Sequence, residues 1–430
     1  MVLNSQKNFN KDCHILKCLI TFVTILKIMI IFSAYPCIID NFYDVYVKLV
    51  EQSLIPYRDF FYEYPPLFAL INAIPFNLIK FTNKSEYQIY FQFFTYIFDL
   101  MAMQISLKIF TKLNNNKIEI IRQKKFYLTW SIVSIALSFL IYQCLEYVVI
   151  FIFVLNILYF NISDNKYNFK FYLLSILGIF LKIISSLNLP LAIFFHSYKK
   201  SKNFSEFIFS TFITSFFLAL IIILITLIFE FFFNFQMIKD LSSQYFRENE
   251  IFSIVGNYIF ITNKILGIKS EIYSAMSMSI KPNAYLNIIL STHLFKIIYF
   301  LFIFISFIIL AINKKNNKEI SLDLLLFIEG STTIILIFLS FHNVASPQFI
   351  GYLIPLISIL AMHYRSKKLL FFSLIIFVLT PILFPFFQEN LVKEKFIMLL
   401  ILTIRNLTIL FTCFYFIVKF YQKLHKPLKN

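Results

Sequence analysis

Long apolar runs rich in Phe, Ile and Leu recur along the whole chain and are separated by short polar segments. They lack the every-other-residue alternation of a barrel strand, and their length is that of helices crossing a bilayer. The runs predict helices over roughly 14–36, 65–80, 87–110, 126–142, 146–161, 171–195, 205–233, 285–312, 320–341, 348–364, 369–386 and 396–420. The pattern therefore predicts an all-α polytopic membrane protein of about 12 transmembrane helices, a single domain over 1–430. Two polar stretches interrupt it, 37–64 and 236–284, and both are expected to be structured loops on the outer face.

Composition agrees with this: 59% of the 430 residues are hydrophobic and only 14% are charged, which excludes the patterning of a water-soluble domain. The net charge of +17 lies in short loops and not on one face interleaved with exposed aromatics. Membrane topology and anionic lipid explain it, and no nucleic-acid partner is expected. Lys7, Lys11 and Lys17, then Lys199, Lys200 and Lys202, Lys314, Lys315 and Lys318, and Arg365, Lys367 and Lys368 all flank runs, as does the basic C-terminus. The positive-inside rule places them, and both termini, in the cytoplasm.

A simple count of twelve then puts Lys112–Lys125, with its five basic residues, outside. Either an apolar piece within 65–110 or 126–161 fails to cross, or the run 171–195 is broken at Asn188 and Pro190. The five cysteines, Cys13, Cys18, Cys37, Cys144 and Cys413, show no paired spacing, so neither a disulfide framework nor a thiolate metal site is expected. With five glycines there is no phosphate-cradling GxxxxGKS or GxGxxG loop, which argues against nucleotide chemistry.

Charge is concentrated where the first run ends. Residues 37–64 hold Asp40, Asp44, Glu51, Asp59 and Glu63 against Lys48 and Arg58, and overlap the segment PYRDFFYEYPPL from Pro56 to Leu67. A later segment, HNVASPQFIGYLIPL from His342 to Leu356, sets Ser346, Pro347 and Gln348 at the start of a helix, where the dipole favours an anion. Asp99, Glu146, Glu230, Glu329, Lys182 and Arg405 lie inside apolar runs, where a charge costs about 2.5–3.5 kcal/mol unless it is paired or faces a polar interior.

Asp40, Tyr43, Tyr46 and the PYRD segment resemble the first outer loop of the GT-C superfamily of integral membrane glycosyltransferases, particularly glycosyltransferase family 87, whose members use polyprenol-phosphate-mannose. The segment at Ser346–Phe349 is similar to that group's SPQY motif, and Tyr245–Ser253 is loosely similar to its central outer loop. Three positions depart from the pattern: Ser53 for a Gly, Phe349 for the SPQY tyrosine, and Phe252 for a Glu.

The resemblance implies inverting transfer of a hexose, mannose first, from a polyprenyl-phosphate donor to a glycan or lipid acceptor at the outer face. Such a displacement needs a carboxylate to take the acceptor proton, and Asp40 is the candidate base. Asp44, one helical turn on, would orient it; a divalent cation shared by the pair is the less favoured reading, and no cofactor is expected. Arg58, Lys182 and Arg247 are the candidate cations for the donor phosphate. A salt bridge from Arg58 to Asp59 or Glu63 would instead shape the loop. Tyr57, Asp59, Glu63, Tyr64, His342, Ser346 and Gln348 are candidates for positioning the loop or the substrate. The rival readings are a lipid or saccharide transporter or flippase, which would be expected to show two related halves with interrupted helices, and a polysaccharide polymerase or ligase.

Overall fold

The computed structural model describes the backbone of residues 2–32, 39–73, 81, 83–115, 119–142, 144–160, 165–242, 249–266, 272–273, 279–280, 285–317, 320, 322–342, 346–387, 390–391, 393 and 395–426. Side chains are described within these, apart from 2–13, 31–32, 39–42, 73, 139, 141, 165–167, 249, 272–273, 279–280, 285–292 and 385. The chain is an all-α membrane protein: seven helices among the described residues are long and apolar enough to cross a bilayer.

Helix α1 (Val2–Phe32) is followed by α2 (Ile39–Tyr46), a π-helical turn at Val47–Glu51 and the short α3 (Pro66–Ala73). Then come α4 (Lys84–Leu113), α5 (Ile120–Ala136), α6 (Ser138–Ile141), α7 (Glu146–Tyr159), α8 (Asn165–Leu181), α9 (Leu189–Lys200) and α10 (Phe204–Phe232). The second polar stretch contains α11 (Met237–Ser242) and α12 (Ile254–Ile265). With them are three two-residue strands, β1 (Asn249–Glu250), β2 (Ile272–Tyr273) and β3 (Ser279–Ile280), antiparallel in the order β1-β3-β2. The chain ends with α13 (Tyr285–Lys315), α14 (Leu324–Phe341), α15 (Leu353–Tyr364), α16 (Lys367–Pro381) and α17 (Phe396–His425).

Short polar side chains start several of these helices. Asn83 accepts from the Glu86 amide at 2.9 Å to begin α4, and Asn203 accepts from the Glu206 amide at 2.9 Å to begin α10. Asp323 does the same for α14 through the Leu326 amide at 2.7 Å. Each satisfies an amide that has no partner in its own helix, and the two Asn-x-x-Glu pairs also place a carboxylate in the first turn.

Two apolar runs differ from the simple expectation. The run 171–195 is not one helix. α8 ends at Leu181, Lys182 is extended (φ −167°), a 3-10 turn covers Ile183–Ser186, and α9 starts at Leu189 with Pro190 in its first turn. Tyr172 midway along α8 hydrogen-bonds His196 in the later part of α9 at 2.8 Å, so the two helices form an antiparallel hairpin. The hairpin's exposed polar groups are answered locally: Ser186 donates to the Ser175 carbonyl at 2.5 Å and Ser185 to that of Lys182 at 3.0 Å. Gly178 makes room for both hydroxyls, which a Cβ there would strike.

The run 65–80 is helical over Pro66–Ala73, and residues 74–80 lie outside the described residues. The Tyr87 hydroxyl donates to Asn72 at 3.3 Å, and Phe81 packs on Tyr46 at 5.5 Å.

Buried charges tie the bundle together. Asp99 on α4 accepts from Lys27 on α1 (2.7 Å), Trp130 on α5 (2.8 Å) and Tyr142 (2.7 Å). At one end of the bundle Glu329 on α14 meets Lys419 (3.2 Å) and Lys423 (2.8 Å) of α17 and the Tyr364 hydroxyl of α15 (2.6 Å). The contacts of Phe160 with His196 and Phe327, and of Lys314 with the Tyr198 carbonyl, belong to that same end. At the opposite end lie α2, α3, α11 and α12. At Gly330 the side chains of Leu191 on α9 and Phe420 on α17 fill the space that a Cβ would need. Gly330→Val is expected to overpack this crossing and cost about 1–3 kcal/mol, read as a lowered unfolding midpoint in detergent; an unchanged midpoint would show that the helices are not this close.

Candidate functional site

Lys182 lies at the end bearing α2, α3, α11 and α12. Released from helical geometry by the break after α8, its ammonium pairs with Glu146 in the first turn of α7. Only 12% of the Lys182 side chain and 2% of that of Glu146 are exposed. The other Glu146 oxygen accepts from the Tyr352 hydroxyl at 3.1 Å. Three rings surround the ammonium, with centroids at 4.5 Å for Phe349, 5.7 Å for Tyr64 and 5.9 Å for Phe68.

Tyr64 and Phe68 belong to the first polar segment and its helix, and Phe349 and Tyr352 to the 3-10 helix Pro347–Tyr352. Lys182 thus joins the two sequence motifs. Ser346, at the N-cap of that 3-10 helix, donates to both oxygens of the buried Glu250 on β1, at 2.7 and 3.0 Å. The central loop therefore closes on the same place.

The first loop is held in shape by its own residues. Tyr57 sits at φ 64° and donates its hydroxyl to the Tyr64 carbonyl, while its ring lies 4.8 Å from Phe233 and 5.5 Å from Tyr62. The Tyr62 amide donates to Asp240 of α11 at 3.1 Å. Burial pushes the phenols of Tyr57, Tyr62 and Tyr64 up, and Glu146 and Glu250 add to the effect at Tyr64, so all three remain protonated donors. Ser53 has φ 54°, the left-handed region that Gly occupies without strain, which gives a physical reason for a Gly at the corresponding place in the resembling loop.

The remaining candidates fall as follows. Arg58 grips Asp59 with two hydrogen bonds of 3.0 Å, and Asp59 also accepts from the Ile55 amide at 2.7 Å. Both are exposed; the contact raises Arg58 and, with the amide, lowers Asp59. This is the loop-shaping alternative for Arg58. Glu63 and Gln348 are half-buried. The half-buried His342 ring packs 4.5 Å from Phe338 and 5.1 Å from Phe295. Asp44 is exposed on α2. Asp40 lies one turn earlier on that helix and its side chain lies outside the described residues, as does the whole of Arg247. Among the described residues no three His, Cys, Asp or Glu side chains cluster as a metal site.

Two contributors escaped the sequence as site residues. Glu146 stood out only as a charge in an apolar run, and its partner is 36 positions away. Glu250 was one acid of a polar loop, with no spacing to distinguish it. The charges picked out within the runs are nonetheless all partnered: the Glu230 carboxylate accepts from the Ile238 amide, and Arg405 donates to the Phe252 carbonyl at 2.8 Å and to Thr380 at 3.2 Å. No protein-family model and no curated protein sequence matches the chain.

Chemically, the arrangement is a nearly buried ammonium in an aromatic collar, neutralised by one carboxylate for which an incoming anion could substitute. Removing one member leaves the other charge buried and unpaired, a loss of about 3–5 kcal/mol. Lys182→Met and Glu146→Gln are therefore each expected to lower the unfolding midpoint, and the double variant to recover most of the loss. Additive single losses in such a cycle would show that the two do not interact.

Proposed function

We propose that the chain is an inverting glycosyltransferase that moves a hexose, mannose first, from a polyprenyl-phosphate donor to a glycan or lipid acceptor at the outer membrane face. The observation that carries this reading is the meeting of the PYRD and SPQF segments at Lys182. In the proposed reaction the acceptor oxygen attacks the anomeric carbon as the bond to the phosphate oxygen breaks. The polyprenyl phosphate leaves with the electron pair, and the acceptor proton passes to Asp40. Lys182 offers the leaving phosphate a fixed cation within low-dielectric surroundings, where such a charge acts most strongly. The tyrosines around it supply hydrogen-bond donors and stacking faces.

Two further features support a lipid-linked donor. An apolar groove of about 1040 Å³ runs between α9, α10 and α13, lined by Phe194, Phe212, Phe300, Phe304 and Phe307, with His293 and Lys296 as its lining residues nearest the start of α13. It suits a long hydrocarbon chain carrying an anionic head. The second feature is the charge distribution. With the eight-residue α3 too short to cross and α8 and α9 forming a hairpin, we count twelve passes: α1, α4, α5, α7, α8, α9, α10, α13, α14, α15, α16 and α17. The loop at Lys112–Lys125 then falls with the other basic loops at the Glu329 end, which the positive-inside rule assigns to the cytoplasm together with both termini. Lys182 and the polar loops face outward.

Asp40→Asn is expected to reduce transfer from polyprenyl-phosphate-mannose by about 100-fold or more while the protein stays folded, in keeping with loss of a general base. Unaltered turnover would remove Asp40 from that role, and substrate movement across vesicles without transfer would favour the transporter reading. Separately, an impermeant thiol reagent applied to sealed cells is expected to label a cysteine-free chain carrying Asp240→Cys and to leave one carrying Asn115→Cys unlabelled. The reverse pattern would invert the topology.

A further inference from the structure

Glu250 is a buried carboxylate at this site to which the reaction above gives no task; it is 1% exposed, although it lies in a polar loop. Its backbone is held from three directions. The Ser253 amide and hydroxyl both donate to the Glu250 carbonyl, at 2.9 and 2.8 Å, and Ser253 in turn caps α12 through the Gly256 amide at 2.9 Å. Gly256 is required because a Cβ there would run into that same carbonyl. From within the bundle, Arg405 of α17 donates to the Phe252 carbonyl, and the neighbouring Asn406 donates to that of Ser253 at 3.5 Å. A membrane-embedded arginine is thus spent on the turn that aims Glu250.

The carboxylate is aimed at Ser346, three residues before Phe349, whose ring covers the Lys182 ammonium. The Ser346–Phe349 turn connects the two ends of the arrangement, and the Tyr64 ring also lies over Lys182. A cation at the helix break, an aromatic face and a fixed carboxylate in the outer loop therefore follow one another. That order matches an amphiphile with a phosphate at the membrane and a polyol beyond it. A rigid carboxylate accepts from two adjacent hydroxyls, and discrimination is strongest where a site is built to hydrogen-bond a hydroxyl.

We propose that Glu250 and Ser346 form the hydroxyl-binding end of the site, taking adjacent hydroxyls of the sugar whose phosphate lies at Lys182, with Arg405 as the positioning residue. The assignment rests on the lipid-phosphate-sugar reading. It gives Glu250 a role in recognition and leaves the proton to Asp40.

The test measures binding of three probes to purified protein in detergent: bare decaprenyl phosphate, decaprenyl-phosphate-mannose and decaprenyl-phosphate-glucose. The wild type should bind at least one glycosylated probe more tightly than the bare lipid. Glu250→Gln should weaken that probe about tenfold or more, the scale of a lost hydrogen bond to a charged group, and leave the bare lipid unchanged. Lys182→Gln should weaken all three. Ser346→Ala, a smaller perturbation, should show the same selective loss as Glu250→Gln and serves if that variant fails to fold. Arg405→Lys should follow Glu250→Gln in its selectivity. Equal weakening of all probes by Glu250→Gln and Ser346→Ala would make their role structural and overturn the assignment, as would no weakening by either. A wild type that binds none of the three overturns the lipid-phosphate reading and this inference with it.

Discussion

The pairing of Lys182 with Glu146 is the interaction on which the rest of the site depends. An ammonium in an apolar bundle cannot be left uncompensated, so the chain must bring a carboxylate to it. That requirement sets α7 against the break after α8, and Tyr352 on the second Glu146 oxygen draws in the 3-10 helix before α15. The aromatic collar excludes water from the pair and strengthens its electrostatics. The same pair is also the point at which a membrane-borne anion would meet a fixed cation.

The break after α8 makes this geometry available. A continuous helix would carry Lys182 on its wall; ending at Leu181 places it at a helix terminus beside the polar loops. Non-helical backbone at this depth survives because Ser185, Ser186 and the space left by Gly178 answer its polar groups within the protein. The arrangement parallels the turn at Glu250–Ser253, where a serine, a glycine and a buried arginine perform the same task in the outer loop. In both places irregular backbone is held rigidly, as a site needs if it is to meet its ligand with groups already oriented.

Much of the scaffold was legible in the sequence, because helix punctuation is local. The runs predicted at 87–110 and 205–233 correspond to helices that Asn83 and Asn203 cap a few residues before each run. A break at Asn188 and Pro190 was one of two alternatives that the sequence left open; the structure has one that starts earlier, at Lys182. Of the run 65–80 the structure describes helix over Pro66–Ala73, and residues 74–80 lie outside the described residues. Within the site, Lys182 was found because a charge in an apolar run needs an explanation. The sequence offered Arg58 a phosphate or a salt bridge to Asp59 or Glu63, and the structure shows it on Asp59.

Taken alone, the sequence determined the class of the protein, the order of its helices, the polar segments between them and the charges that must find partners, since each follows from the hydrophobicity of neighbouring residues. Only the tertiary structure decided which charge answers which. Glu146 lies 36 positions from Lys182 and 206 from Tyr352, and Glu250 lies 96 from Ser346. Periodicity along a chain carries no information over such separations; these partners are selected by how helices pack, and by the cost of leaving any one of them buried alone.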